Sequence, residues 1–260
     1  MKKGIKITLI SLGAVVLTAA ALYGTLGGLP VKRQIEKEYG ETINYTASEF
    51  PYAALEASPD YAACEAAGIR FMMPADVRAV DDSDPENYKA RSFRNDGQTV
   101  SIYVALPEDM GELPLNDSAE KKAKKLMDDF CRSLGCEPLK NWHDMYNMLF
   151  HVTLDDCSIH SAKNAAIFKK LAEMKDEIPF MNWDCWDWQS ASGETGFLRM
   201  LEYYPEEGSE PQYKVMAECF DKENGNIVYD LFINAPDPET CCRIANSVCI
   251  TPEAAAQAKS

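Results

Sequence analysis

The densest run of side chains able to do chemistry is Trp183-Asp184-Cys185-Trp186-Asp187-Trp188. Three indoles spaced by carboxylates can stack on a sugar ring or grip a peptide. On a strand, Trp186 and Trp188 share a face with Asp184, while Trp183 and Asp187 take the other. Indoles also fill core edges when the N–H reaches an acceptor, so Trp183, Asp184, Trp186 and Trp188 form either a core edge or a ligand surface. As a glycosidase pair, Asp184 and Asp187 would need to face one another, which a single strand does not allow. A second constellation is Cys157 with His160, beside Asp155 and Asp156. A reactive thiol needs a base held by a third group, and these residues supply the types. Their carboxylates oppose it, because nearby negative charge raises a thiol pKa. His143 and His151 lie eight apart on one expected helix, about 12 Å along its axis, too far to share a metal. Asp81, Asp82, Asp84 and Glu86 crowd one loop, but the glycine and glutamate that a calcium loop needs at its sixth and twelfth positions are absent. That loop is expected to be solvated. No phosphate-binding glycine loop, serine elbow or zincin helix occurs, so neither cofactor nor metal is expected and a non-catalytic role is favoured.

The elements that must position these residues are legible in order. Gly68–Pro74 reads as a strand stopped by proline, and strands at Tyr88–Arg94 and Thr99–Leu106 turn at Asn95-Asp96-Gly97. A helix follows, with Asp117 and Glu120 at its start, Leu126, Phe130 and Leu134 as its apolar stripe and Gly135 at its end. A second helix spans Trp142–Val152 behind Asn141. A third starts at Ser161 with Ile167, Leu171, Met174 and Ile178 as one face, until Pro179. Phe197–Tyr204 is a strand, and Tyr213–Asp221 pairs with Asn226–Asn234 as a hairpin. A Glu223-Asn224-Gly225 loop with a left-handed glycine sets Val215, Ala217 and Cys219 opposite Ile233, Leu231 and Tyr229. It also sets Glu218 opposite Asp230, a like-charge cost. The last helix opens at Asp237-Pro238 and buries Cys241, Ile244, Ala245 and Val248. This order predicts an α+β fold, an antiparallel sheet covered by helices, over residues 68–250, with 32–67 as stalk and lead-in opening on a short charged helix to about Tyr39, and 251–260 as a tail.

Two pieces of this pattern, the Gly68–Pro74 strand with its hairpin and capped helix, and the closing hairpin leading through Asp237-Pro238-Glu239 into Ile244-Ala245-Asn246-Ser247-Val248, resemble the PsbP-like family of small α+β domains. Together they cover less than half of residues 41–260. Many members of that family are exported or membrane-tethered and they share no single activity, so the resemblance implies a binding or accessory role.

Ahead of all this stands a run from Ile7 to Val31 with no charged side chain, preceded by Lys2, Lys3 and Lys6 and followed by Lys32 and Arg33. Two alternatives compete for residues 1–31, ahead of a buried core helix, which is rarely charge-free for so long. The apolar core with Ala19-Ala20-Ala21 suits a cleaved secretory signal, and the continuation through Leu22, Leu26 and Leu29 suits a transmembrane anchor spanning about 30 Å. Membrane attachment through residues 7–29 is expected, with the bulk outside the cytoplasm; release after signal cleavage is the alternative. The first forty residues hold six of the 26 Lys/Arg and two of the 41 Asp/Glu, which leaves residues 41–260 at a net charge of −19. Such a surface repels phosphate backbones, so the expected partner is a protein and nucleic acid is disfavoured. Nine cysteines include no pair at zinc-knuckle or redox-motif spacing, and most are expected as small buried apolar groups.

Overall fold

The computed structural model describes residues 26–51, 59–80, 90–95, 99–105, 108–111, 118–177, 184–204 and 210–251. The apolar run up to residue 25, the acidic loop at 81–86, the Asp96-Gly97 turn, the Asp117 cap and Trp183 lie outside them. The elements in chain order are α1 (Leu29–Ile43), β1 (Ser48–Glu49), β2 (Tyr61–Ala66), β3 (Ile69–Pro74), β4 (Arg78–Val80), β5 (Ala90–Arg94), β6 (Ser101–Ala105), β7 (Glu108–Asp109), α2 (Ser118–Leu134) and α3 (Trp142–His151). A 3-10 turn (Leu154–Asp156), α4 (Ala162–Asp176), β8 (Asp184–Gln189), β9 (Thr195–Tyr203), β10 (Gln212–Phe220), β11 (Ile227–Ala235), α5 (Pro238–Asn246) and β12 (Cys249–Ile250) follow. The fold is α+β. The sheet departs from the expected purely antiparallel one at a single edge, where β1 runs parallel to β8. Among the described residues no helix is long and apolar enough to cross a membrane.

The chain forms two compact units, each assembled from separated stretches: Met1–Thr46, Asn116–Leu139 and His151–Met181 in one, and Ala47–Leu115, Lys140–Phe150 and Asn182–Ser260 in the other.

The first unit is helical. The short charged helix expected to open the stalk is longer than expected, running over Leu29–Ile43, and it is no solvated stalk, since its Ile35 and Ile43 are fully buried. The unit reaches back into the apolar run: Gly27 and Gly28 are buried, and the Gly28 amide donates to the Ile159 carbonyl at 3.0 Å. Ser161 caps α4 as expected, its hydroxyl accepting from the Asn164 amide. The buried face of α4 carries Ala165, Phe168, Leu171, Ala172 and Lys175, so it is turned from the expected Ile167–Met174 stripe. Hydropathy hides a lysine on that face, yet Lys175 is fully buried because its ammonium finds three acceptors. Nζ donates to the carbonyls of Ile43 (3.3 Å), Tyr45 (2.7 Å) and Val152 (3.0 Å), which complete its three-donor capacity.

The second unit holds the main core. The large sheet runs β1-β8-β9-β10-β11-β6-β5-β4, with β7 also on β11, and a small sheet runs β12-β3-β2. One face of the large sheet presents Leu198, Met200, Val215, Ala217, Cys219, Tyr229, Leu231 and Ile233. These pack with Ile69, Phe71 and Met73 of β3 and Cys241, Ile244 and Ala245 of α5. Asp237 caps α5 and Pro238 opens it. The β10–β11 register is the expected one, Val215 to Ile233, Ala217 to Leu231 and Cys219 to Tyr229. The turn differs, since Gly225 is not left-handed. The Asp221 carboxylate instead accepts the amides of Glu223 (2.9 Å) and Asn224 (2.8 Å). Gly225 is needed for closeness: a Cβ there would meet the Asn141 amide at 2.6 Å.

Candidate functional site

Strand alternation gives the large sheet a second face, opposite the core, and that face carries the charges. On β9, Leu198 and Met200 point into the core and Arg199 points away. On β10, Ala217 and Cys219 point in and Glu218 points away. Glu218 stands opposite Phe197 on one side and Asp230 on the other, and Arg199 stands opposite Met216. Arg199 therefore reaches diagonally across to Glu218, and its Nη2 donates to that carboxylate. The same nitrogen lies 3.1 Å from the Met216 thioether sulfur. Both charged residues are buried, at 6% and 5% exposure.

Helix α3 covers this pair because its N-terminal end is built into the sheet's turns. Asn141 accepts from the Asp144 amide at 2.8 Å as the helix cap. The Gly225 carbonyl accepts from the His143 amide at 3.0 Å, and the Asn226 side chain accepts from the Trp142 amide at 3.2 Å. The Trp142 indole donates to the carbonyls of Met110 and Gly111. These bonds aim one helix face at the sheet. His143 stacks on Phe220 at 5.1 Å, Tyr146 lies against Phe220 at 5.5 Å, and Phe150 packs on Phe197 at 4.6 Å. The Arg199 guanidinium sits 5.7 Å from the Phe150 ring centre, a cation–π contact under the helix.

Burial sets the electrostatics. It pushes the Glu218 carboxyl up against the pull of Arg199. Burial, with Glu218 close by, pushes the Tyr146 phenol up to about 12, so at neutral pH it is a hydrogen-bond donor and not a base. His143 is pushed down by burial and partly restored by Asp144, which keeps its imidazole neutral. Arg199 Nε is buried with no hydrogen-bond partner among the described residues. This cluster can hold a proton at Glu218 and bind α3 to the sheet. Its charges are already engaged with one another.

The residues singled out from the sequence fall elsewhere. Trp188 is 4% exposed in the core, and Trp186 packs partly buried against the same core, edge-on to Phe50 at 5.9 Å. Stacking on a ligand needs an exposed ring face, and Trp188 offers none. Asp184 is exposed at the start of β8. Cys157 is 4% exposed and follows the 3-10 turn, where burial raises its thiol, while His160 is exposed. All nine cysteines stand as thiols and six are buried. Burial also raises Cys64, Cys219 and Cys241. No group of three or more His, Cys, Asp or Glu among the described residues is arranged to hold a metal ion.

The hairpin pattern in the sequence places Glu218 opposite Asp230 but does not reveal its counterion. Arg199 was the missing signal: a single cation in an apolar β9, on the parity that faces away from the core. Known proteins give no further guide, for no protein family and no curated protein matches this chain.

Proposed function

We propose that this chain is a membrane-tethered accessory protein, with its α+β body outside the cytoplasm binding a protein partner rather than turning over a substrate. The observation that carries the tether is the uncharged apolar run behind Lys2, Lys3 and Lys6. Gly27 and Gly28 are buried and the Gly28 amide is tied to the Ile159 carbonyl, so the stretch assigned to the bilayer is Ile7–Leu26. Twenty helical residues rise about 30 Å, the thickness of a hydrocarbon core. The binding role is supported by how the body uses its polar groups. Lys175 binds three carbonyls, Glu194 accepts from the Ser190 and Ser192 hydroxyls, Asp221 accepts from Tyr229, and Arg199 pairs with Glu218. Groups so engaged hold a scaffold together.

Two fractionations test this. Membranes washed at alkaline pH are expected to retain the protein, and protease added to intact cells is expected to remove a carboxy-terminal epitope. Release by the wash removes the tether. Protection of the epitope until lysis places the body inside and removes the extracytoplasmic assignment. A mature chain that begins just after Ala21 would instead identify a secreted form.

A further inference from the structure

Helix α2 ends in a loop that brings two cysteines together. Gly135 takes a left-handed backbone, φ +78. Its amide donates to the Arg132 carbonyl at 3.2 Å, and the next amide, of Cys136, donates to the Cys131 carbonyl at 2.9 Å. These two bonds with a left-handed glycine between them define the Schellman helix end. In that geometry the side chain three positions before the end meets the side chain just beyond the glycine, and two apolar groups usually fill both places. Here both are cysteine. The direct backbone bond between them sets the pair within the Cα separation that disulfides span, about 4.4–6.8 Å. Cys131 is 5% exposed and Cys136 is exposed, so one thiol is open to solvent and the other is shielded from it.

We propose that Cys131 and Cys136 are a thiol–disulfide exchange site, closed by a small-molecule disulfide of the oxidised-glutathione class and reopened by the corresponding thiol. The Cys136 thiolate attacks one sulfur of the incoming disulfide. The carrier's S–S bond breaks, a mixed disulfide forms at Cys136, and the first carrier thiolate leaves. Cys131 then gives up its proton and attacks the Cys136 sulfur. The mixed disulfide breaks, the second carrier thiolate leaves, and the protein disulfide remains. Two protein thiols lose two electrons to one carrier disulfide, and their two protons end on the two carrier thiols. The site stands on local geometry alone, wherever the body resides.

The test uses the full chain in non-ionic detergent, equilibrated in glutathione buffers of rising oxidised fraction. Acid quenching, alkylation under denaturing conditions and trypsin follow. Cleavage after Arg132 separates residues 126–132 from 133–140, so the expected product is these two peptides joined and lighter by two hydrogens. It is expected at an oxidised-to-reduced ratio on the order of tenfold below that at which the other thiols stop being alkylated. Cys131→Ser is expected to stall with glutathione on Cys136. A glutathione adduct that persists on Cys136 in the wild-type chain overturns the proposal. So does a Cys136 bond to any other cysteine, within or between chains. Because the wild-type mapping decides the matter, a misfolded variant would leave it decidable.

Discussion

Glu218 is a carboxylate among rings, opposite another carboxylate, with one guanidinium to hold it. Burial raises its pKa in the folded state above its value in the unfolded chain. Between those two values the folded protein binds the extra proton. Its contribution to stability is therefore fully present below the unfolded pKa and is lost as pH rises through the raised folded value. Glu218→Gln removes that titration. The substitution also leaves the Arg199 charge buried without its counterion, a loss of about 3 kcal/mol. Urea midpoints measured from pH 5 to pH 8 are expected to be lower for the variant throughout, with a shallower decline toward high pH. Parallel declines would show that Glu218 does not titrate in this range. At this scale half of the arrangement was readable. The hairpin register placed Glu218 beside Asp230, but the partner on β9 depends on which strand lies next to β10, and no local pattern encodes that. Lys175 was hidden for a related reason, since three carbonyls from distant residues make its burial tolerable.

Elements were legible where their ends carry chemistry. Ser161, Asn141 and Asp237 cap helices as their side chains dictate, and Gly135 closes α2 with the backbone only glycine adopts freely. Glycines whose purpose is closeness were not legible, because the approaching backbone belongs to another strand. Gly196 faces Trp188 on β8 and Cys219 on β10. A Cβ there would overlap the Glu218 carbonyl and come within 2.6 Å of the Cys219 Cα. Gly40, inside α1, has open space around the same position. One substitution is therefore expected to act with opposite signs in the two elements. Gly196→Ala forces β9 and β10 apart and is expected to cost about 2–3 kcal/mol. Gly40→Ala restricts the unfolded chain and favours the helix, a gain of about 0.5–1 kcal/mol. Urea unfolding of both variants checks the pair. A gain at Gly196, or a loss at Gly40, would contradict the packing described for that element.

At the scale of the whole molecule, element order implied α+β, and the large sheet and α5 bear that out. The assembly into two units was out of reach, since each draws on three stretches separated in sequence, and no local pattern encodes which of them pack together. Charge is a whole-molecule property that sequence does give. The chain carries 41 acidic side chains against 26 basic ones, and its net charge is −15. Among the described residues few charged side chains are buried, so such charges repel one another across solvent, and unfolding relieves that repulsion by moving them apart. Salt screens it. Raising sodium chloride from about 10 mM to about 150 mM shortens the Debye length from roughly 30 Å to about 8 Å. The expected result is a higher urea midpoint for the full chain in non-ionic detergent, equivalent to a gain in stability on the order of 1 kcal/mol, with most of the gain complete by 150 mM. Surface ion pairs such as Lys125–Asp129 work the other way, because salt weakens them, but each is worth only about 0.3–0.5 kcal/mol. A midpoint that falls with salt would mean that such pairs, rather than net repulsion, govern the folded state.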